Sequence, residues 1–183
     1  MQKVSACKFY QIVFGWCLCC MALFFSTSQA DTEVEQQIKV SFVYNFAKFV
    51  TWPNVTNNPN TPLIICASAP PSFLAKMLLL KNRKINIRPL EVIALSDAQA
   101  QNCNLIFFSE SVNNLNKKSV LEAIATLPIL TISDKPDFAQ EGGMIGMKEL
   151  NNRLRFDINL IAAKKAGLTI SSQLAELADE VIK

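Results

Sequence analysis

The chain has 183 residues, half of them hydrophobic, with a formal charge of +3 and no histidine. The missing imidazole excludes Ser-His-Asp and Cys-His catalysis and nearly all transition-metal sites. Lys3 and Lys8 precede the first acid, Asp31, so without residues 1–30 the charge falls to +1, which gives no electrostatic case for nucleic acid or an anionic membrane.

Residues 1–30 read as a secretory leader. The two lysines open it, a mostly apolar run from Phe9 to Phe25 follows, and Ser28-Gln29-Ala30 fits a small-x-small cleavage site. An uncleaved anchor is the rival, because the run is nearly long enough to cross a bilayer. Gln11 interrupts that run and no positive cluster follows it, which favours cleavage after Ala30. Neither Cys19 nor Cys20 follows the small residue a lipobox needs. Residues 31–183 are then expected to form one exported domain with its own core. Cys7, Cys17, Cys19 and Cys20 leave with the leader, and Cys66 and Cys103 remain. An even pair in an oxidising compartment favours a disulfide. Chain entropy gives such a bridge about 4 kcal/mol. Two buried free thiols are the alternative. Cys66 ends one predicted strand and Cys103 precedes another, and adjacent parallel strands would hold them at opposite ends.

Thr32 and Glu35 form a capping box for a first helix, with Val34, Ile38, Phe42, Phe46 and Phe49 on one face. Asn45 falls within that apolar arc, so its amide is expected to hold a backbone group inside the core. Trp52-Pro53 ends the helix, and residues 54–62 read as a polar loop. Strands are predicted at 63–66, 84–87, 90–95, 105–108 and 127–132, with helices at 72–80 and 112–125. The second helix offers Leu115, Val120, Leu121 and Ile124 for packing. Residues 144–150 and 153–158 flank Asn151-Asn152, a pair that tolerates the positive φ of a tight hairpin. In the second arm Leu154, Phe156 and Ile158 face one way, and Arg153, Arg155 and Asp157 the other. Asn159 suits a helix N-cap and Gly167 its C-terminal end. A strand at 168–170 and a last helix, capped by Ser171 or Ser172 and carrying Leu174, Leu177 and Val181, close the chain. The pattern predicts a layered single α/β domain, with a central mixed sheet flanked by helices.

No catalytic constellation emerges. Gly142-Gly143-Met144-Ile145-Gly146 has only Lys148 near it and no hydroxyl partner, so it reads as a strand-entry turn and not as a phosphate loop. Glu176, Asp179 and Glu180 read as solvated acids on the last helix. Asp134 and Asp137 could in principle hold Ca²⁺, but Lys135-Pro136 between them makes an ordinary turn. No cofactor, metal or enzymatic activity is expected.

Two blocks carry a family resemblance. The first is Tyr44-Asn45-Phe46-Ala47-Lys48-Phe49 with Trp52-Pro53. The second runs from Phe138-Ala139 through Gly142-Gly143-Met144-Ile145 and Arg155-Phe156-Asp157-Ile158-Asn159 to Ala166-Gly167-Leu168 and Ile170-Ser171-Ser172. With the two cysteine-bearing strands between them, these resemble the YfiR family across essentially the whole exported chain. Asn104 departs from the pattern, since family members commonly carry histidine after the second cysteine. The resemblance implies a dimeric, non-catalytic periplasmic repressor. Its partner would be the periplasmic sensor region of an inner-membrane diguanylate cyclase, and an OmpA-like outer-membrane lipoprotein would sequester it. On that reading Phe156, Asp157 and Asn159 are candidate partner-binding residues. Phe156 is expected in the core, Asn159 as a cap, and Asp157 exposed on the other strand face. A small-ligand sensor is the competing reading, with Phe46, Phe49 and Trp52 lining a pocket.

Overall fold

The structure, a computed structural model, describes residues 27–53, 58–112 and 117–183, and their side chains apart from those of 27–32 and 97–99. Most of the leader, the cap at Thr32 and Leu115 therefore lie outside the described side chains. Two compact units are distinguished, one ending at Gln37 and the other spanning Ile38–Lys183. The first is described only as the helical stretch that opens α1 (Thr27–Lys48). The second is a single α/β domain.

Its elements after α1 run β1 (Val50–Thr51), β2 (Leu63–Ser68), α2 (Pro71–Leu78), β3 (Lys84–Ile85), β4 (Arg88–Ala94), a 3₁₀ turn (Asp97–Asn102) and β5 (Leu105–Phe108). Then follow α3 (Lys117–Ile124), β6 (Leu130–Ser133), β7 (Ile145–Leu150), β8 (Arg153–Asn159), α4 (Leu160–Lys165), β9 (Thr169–Ile170), α5 (Ser172–Glu176) and β10 (Glu180–Ile182). Among the described residues, eight strands form one sheet in the order β10-β8-β7-β6-β5-β2-β4-β3. The strands from β7 through β4 are parallel neighbours, β8 is antiparallel to β7 and parallel to β10, and β3 is antiparallel to β4, so the sheet is mixed.

Alternation along the central strands sorts residues onto two faces. On one face Ile65, Leu105, Phe107, Leu130 and Ile132 pack under α1, α2, α4 and α5. On the other, Cys66, Ile106 and Phe108 meet Val120, Ile124, Ile129 and Phe138. The β7–β8 hairpin turns at Asn151-Asn152, with φ of 53° and 59°, as the sequence predicts. Gly167 has φ 74°, and the N–H groups of Gly167 and Leu168 bond to Lys164 O and Ala163 O, closing α4 in a Schellman motif.

Three expectations are corrected. The buried stripe of α1 is Val40, Val43, Phe46 and Ala47, rotated by roughly a third of a turn from the expected one. Val34 is 59 % exposed, Ile38 is exposed too, and Asn45 faces solvent, where its Oδ1 accepts from Lys48 Nζ at 3.4 Å. Second, α1 stops at Lys48, ahead of Trp52-Pro53, because Val50–Thr51 is claimed by antiparallel pairing with Thr169–Ile170. Third, the last helix ends at Glu176. Asp179 N donates to Phe156 O, and the β-branched pair Val181-Ile182 then extends as β10 alongside β8.

Candidate functional site

Cys66 and Cys103 are bonded, with a Cα separation of 5.9 Å. Their strands are indeed adjacent and parallel, Cys66 lying opposite Ile106. The bridge is feasible because β2 continues past Cys66 to Ser68, while the chain before β5 lies against the same apolar cluster as Cys66. Asn104 holds that crossing. Its N–H donates to Ile64 O at 2.8 Å, and its side-chain Oδ1 accepts from Ile64 N at 2.9 Å. Its carbonyl accepts from Leu130 N and from Trp52 Nε1, each at 3.0 Å. One residue thus ties β2, β5, β6 and the segment after α1. The sequence marks it only as a departure from the family pattern.

The three hairpin candidates are brought together, but none is exposed. Phe156 belongs to the apolar core, its ring 4.8 Å from that of Phe46. Asn159 caps α4, accepting from Ala162 N at 2.8 Å, and its amide donates to Ala139 O at 2.8 Å. Asp157 does lie on the opposite strand face, yet it is only 2 % exposed, which corrects the expectation of a free surface charge. Strand β10 runs beside it, with Glu180 in register, and Lys148 and Gln140 cover it. Lys148 Nζ donates to Asp157 Oδ2 at 2.9 Å and lies 2.8 Å from Oδ1, where the contact is Coulombic and lacks hydrogen-bond alignment. The same ammonium reaches Asp179 at 2.8 Å. Hydrogen bonds to Asp157 and then Asp179 hold the Lys148 pKa above its ordinary 10.5, and the Lys148 bond lowers that of Asp179. Asp179 and Glu180, expected on a helix, are therefore partners at the sheet edge, Glu180 accepting from Gln140 Nε2 at 2.8 Å.

The aromatic candidates divide. Phe46 is core and Phe49 is partly buried against it, whereas Trp52 lines a cleft of about 230 Å³ with Val50, Thr51, Leu63, Ile85, Asn86 and Arg88. Asp134 and Asp137 also separate. Asp134 pairs with Lys39 at 3.3 Å and accepts from Glu110 N, while Asp137 takes φ 56° in a turn. In the glycine segment, a Cβ at Gly143 would sit 2.1 Å from the Phe138 ring, so close packing before β7 accounts for that residue. Among the described residues no helix is long and apolar enough to cross a membrane, and no group of three or more Cys, Asp or Glu side chains could hold a metal ion.

Compared with known proteins, residues 36–179 match the profile of the family described as YfiR/HmsC-like. Curated protein sequences yield no significant match. Among solved structures, a conserved domain protein from Vibrio cholerae O1 biovar El Tor strain N16961 is similar in fold, with a TM-score of 0.53 over 80 % of this chain at 13 % identity. The chain spans 60 % of the length of that protein.

Proposed function

Because the chain belongs to the YfiR/HmsC-like family, we propose that it is an exported, non-catalytic regulator that represses a membrane-bound diguanylate cyclase from the periplasm. The family match over residues 36–179 carries this reading. The sequence supports it, since no histidine is present and no catalytic constellation converges. The leader would be cleaved after Ala30, and the repressor would act as a homodimer that an OmpA-like outer-membrane lipoprotein can sequester. N-terminal sequencing of protein released from the periplasm tests the cleavage. A chain retained in the membrane fraction with residues 1–30 attached would overturn it.

Repression is read from cyclic-di-GMP. Deleting the gene is expected to raise the nucleotide and surface attachment, and unchanged levels across growth conditions would reject the reading. For docking we place the partner on the hairpin that Phe156, Asp157 and Asn159 hold in position. Being buried, those three would act by supporting it, and the exposed Arg155 on the Asp157 face offers the charge a partner can meet. Reversing an interface charge costs several kcal/mol of binding, whereas an exposed substitution moves stability by about 0.5 kcal/mol or less. Arg155→Glu should therefore fold normally and fail to repress. A variant that represses like the parent removes this surface from consideration.

A further inference from the structure

Residues 76–88 carry five cations, Lys76, Lys81, Arg83, Lys84 and Arg88, and no acid. Residues 31–183 total +1, so everything in that range outside this stretch sums to −4. The small net charge conceals a strongly polarised molecule. The stretch forms the end of α2, the turn after it and the β3–β4 hairpin, at the β3 end of the sheet. Arg88 is buried there and bonds to Thr61 O and Pro62 O, whereas Lys81, Arg83 and Lys84 are exposed. Lys48 of α1 joins them. Its Nζ lies 4.3 Å from the centre of the Tyr44 ring, and the Arg83 guanidinium lies 5.5 Å from the same ring. Tyr44 Oη donates to Lys84 O at 3.0 Å, and bonds from Asn82 N to Leu90 O and from Leu90 N to Arg83 O pin the turn to β4. The cations are thus held at one place, and among the described residues Lys48, Lys81, Arg83 and Lys84 have no ion pair.

Lysines on an edge strand ordinarily guard it against pairing with another sheet, and the surface around them is then polar. This end of the sheet is not polar. Leu79 is 76 % exposed at the end of α2, Leu78 beside it is exposed too, and so is Ile87 in the β3–β4 turn. Exposed aliphatic groups interleaved with cations mark a surface that lies on an anionic bilayer. The aliphatic groups enter the headgroup layer while the ammonium and guanidinium groups stay among the phosphates. These aliphatic groups stand on a helix end and a hairpin turn, which suits a fluid layer that conforms to them better than a rigid partner. We infer that the β3 end of the sheet docks on an anionic phospholipid surface, with Lys81, Arg83 and Lys84 facing the headgroups and Leu79 entering the layer.

This inference is independent of the cyclase reading, and its test uses no cyclic-di-GMP measurement. Protein released from the periplasm is floated with vesicles of phosphatidylcholine alone and with vesicles that also contain phosphatidylglycerol. Binding is expected only with phosphatidylglycerol, and it should weaken at least about tenfold between about 0.05 M and about 0.5 M NaCl as the charges are screened. Each cation near such a surface strengthens binding about fivefold, so the Lys81→Glu, Lys84→Glu variant should bind at least about thirtyfold more weakly. Both side chains are exposed, and the parent circular dichroism should be kept. The Lys165→Glu, Lys183→Glu variant changes the net charge equally at the β10 end of the sheet. It should bind within about threefold of the parent, because charges more than about 10 Å from the lipid are largely screened. Leu79→Gln should weaken binding severalfold, since less apolar surface leaves water. The inference is overturned if phosphatidylglycerol gives no advantage, if a folded Lys81→Glu, Lys84→Glu variant or Leu79→Gln binds like the parent, or if the two charge-matched variants lose binding alike. No binding to either vesicle would also overturn it and leave an acidic protein as the partner for this surface.

Discussion

One face of the sheet carries a continuous apolar core reaching from Val40 on α1 to Leu174 on α5, while the other face is divided. On that second face a small cluster around the Cys66–Cys103 bridge covers β2 and β5, and the ion-paired group of Lys148, Asp157 and Asp179 occupies the β8–β10 end. The difference follows from what covers each face. Four helices remove the first from water, so area burial stabilises it without special chemistry. The second has α3, the 3₁₀ turn and the loop carrying Phe138, which is too little apolar cover for the whole sheet. A covalent bond at one end and a hydrogen-bonded charge cluster at the other take over there.

The largest expected effect lies on the helix-covered face. Phe107 is fully buried and stacks on Phe73 with centroids 4.8 Å apart, so Phe107→Ala should lower unfolding free energy by about 3–5 kcal/mol in urea titrations. A change below about 1 kcal/mol would show that this core is not the main source of stability. Next comes the disulfide. Replacing Cys66 and Cys103 together by alanine should cost about 4 kcal/mol at most. Dithiothreitol should then shift the midpoint of the parent and leave that of the variant in place.

The ionic end should respond less than the bridge, because Lys148 is partly open to solvent. Asp157→Ala leaves the ammonium with Asp179 as its partner and removes the buried half of the cluster, and should cost about 1–2 kcal/mol, discounted for that exposure. The Asp157→Ala, Lys148→Met double variant should recover part of the loss. Alkaline pH tests the same contact. The pKa of Lys148 is higher in the fold than its ordinary 10.5, so its contribution is complete below 10.5 and is lost as pH climbs through the folded value. Thermal unfolding of the parent should therefore show an alkaline decline larger than that of Lys148→Met. Equal declines would mean that the cluster adds nothing to stability. The smallest effect is expected at Gly167, where φ is 74° and, among the described residues, an added Cβ would meet Pro53 at 3.5 Å, an ordinary contact. Gly167→Ala should cost about 1 kcal/mol from the strained backbone alone, read as a small drop in Tm.

The sequence by itself determined the elements whose signals are local. The αL tolerance of Asn151-Asn152, the cap at Asn159, the stop at Gly167 and the short apolar runs of β2 and β5 each depend on a few neighbouring residues and appear where the pattern puts them, while β6 begins at Leu130, three residues after the expected start at Leu127. The family resemblance was legible for the same reason, being carried by short blocks in a fixed order. Tertiary structure decided what periodicity leaves open. Which arc of α1 meets the sheet was ambiguous, because its run of apolar residues wraps widely enough to offer two stripes, and packing chose the one through Val43 and Ala47. The conversion of residues 180–182 from helix to strand depended on the free edge of β8, a partner remote in sequence. That edge also turned Asp157 from an expected surface charge into a buried one. The cleft beside Trp52 was invisible for a related reason, since its walls come from β1, β2, β3 and β4 and no linear pattern marks them.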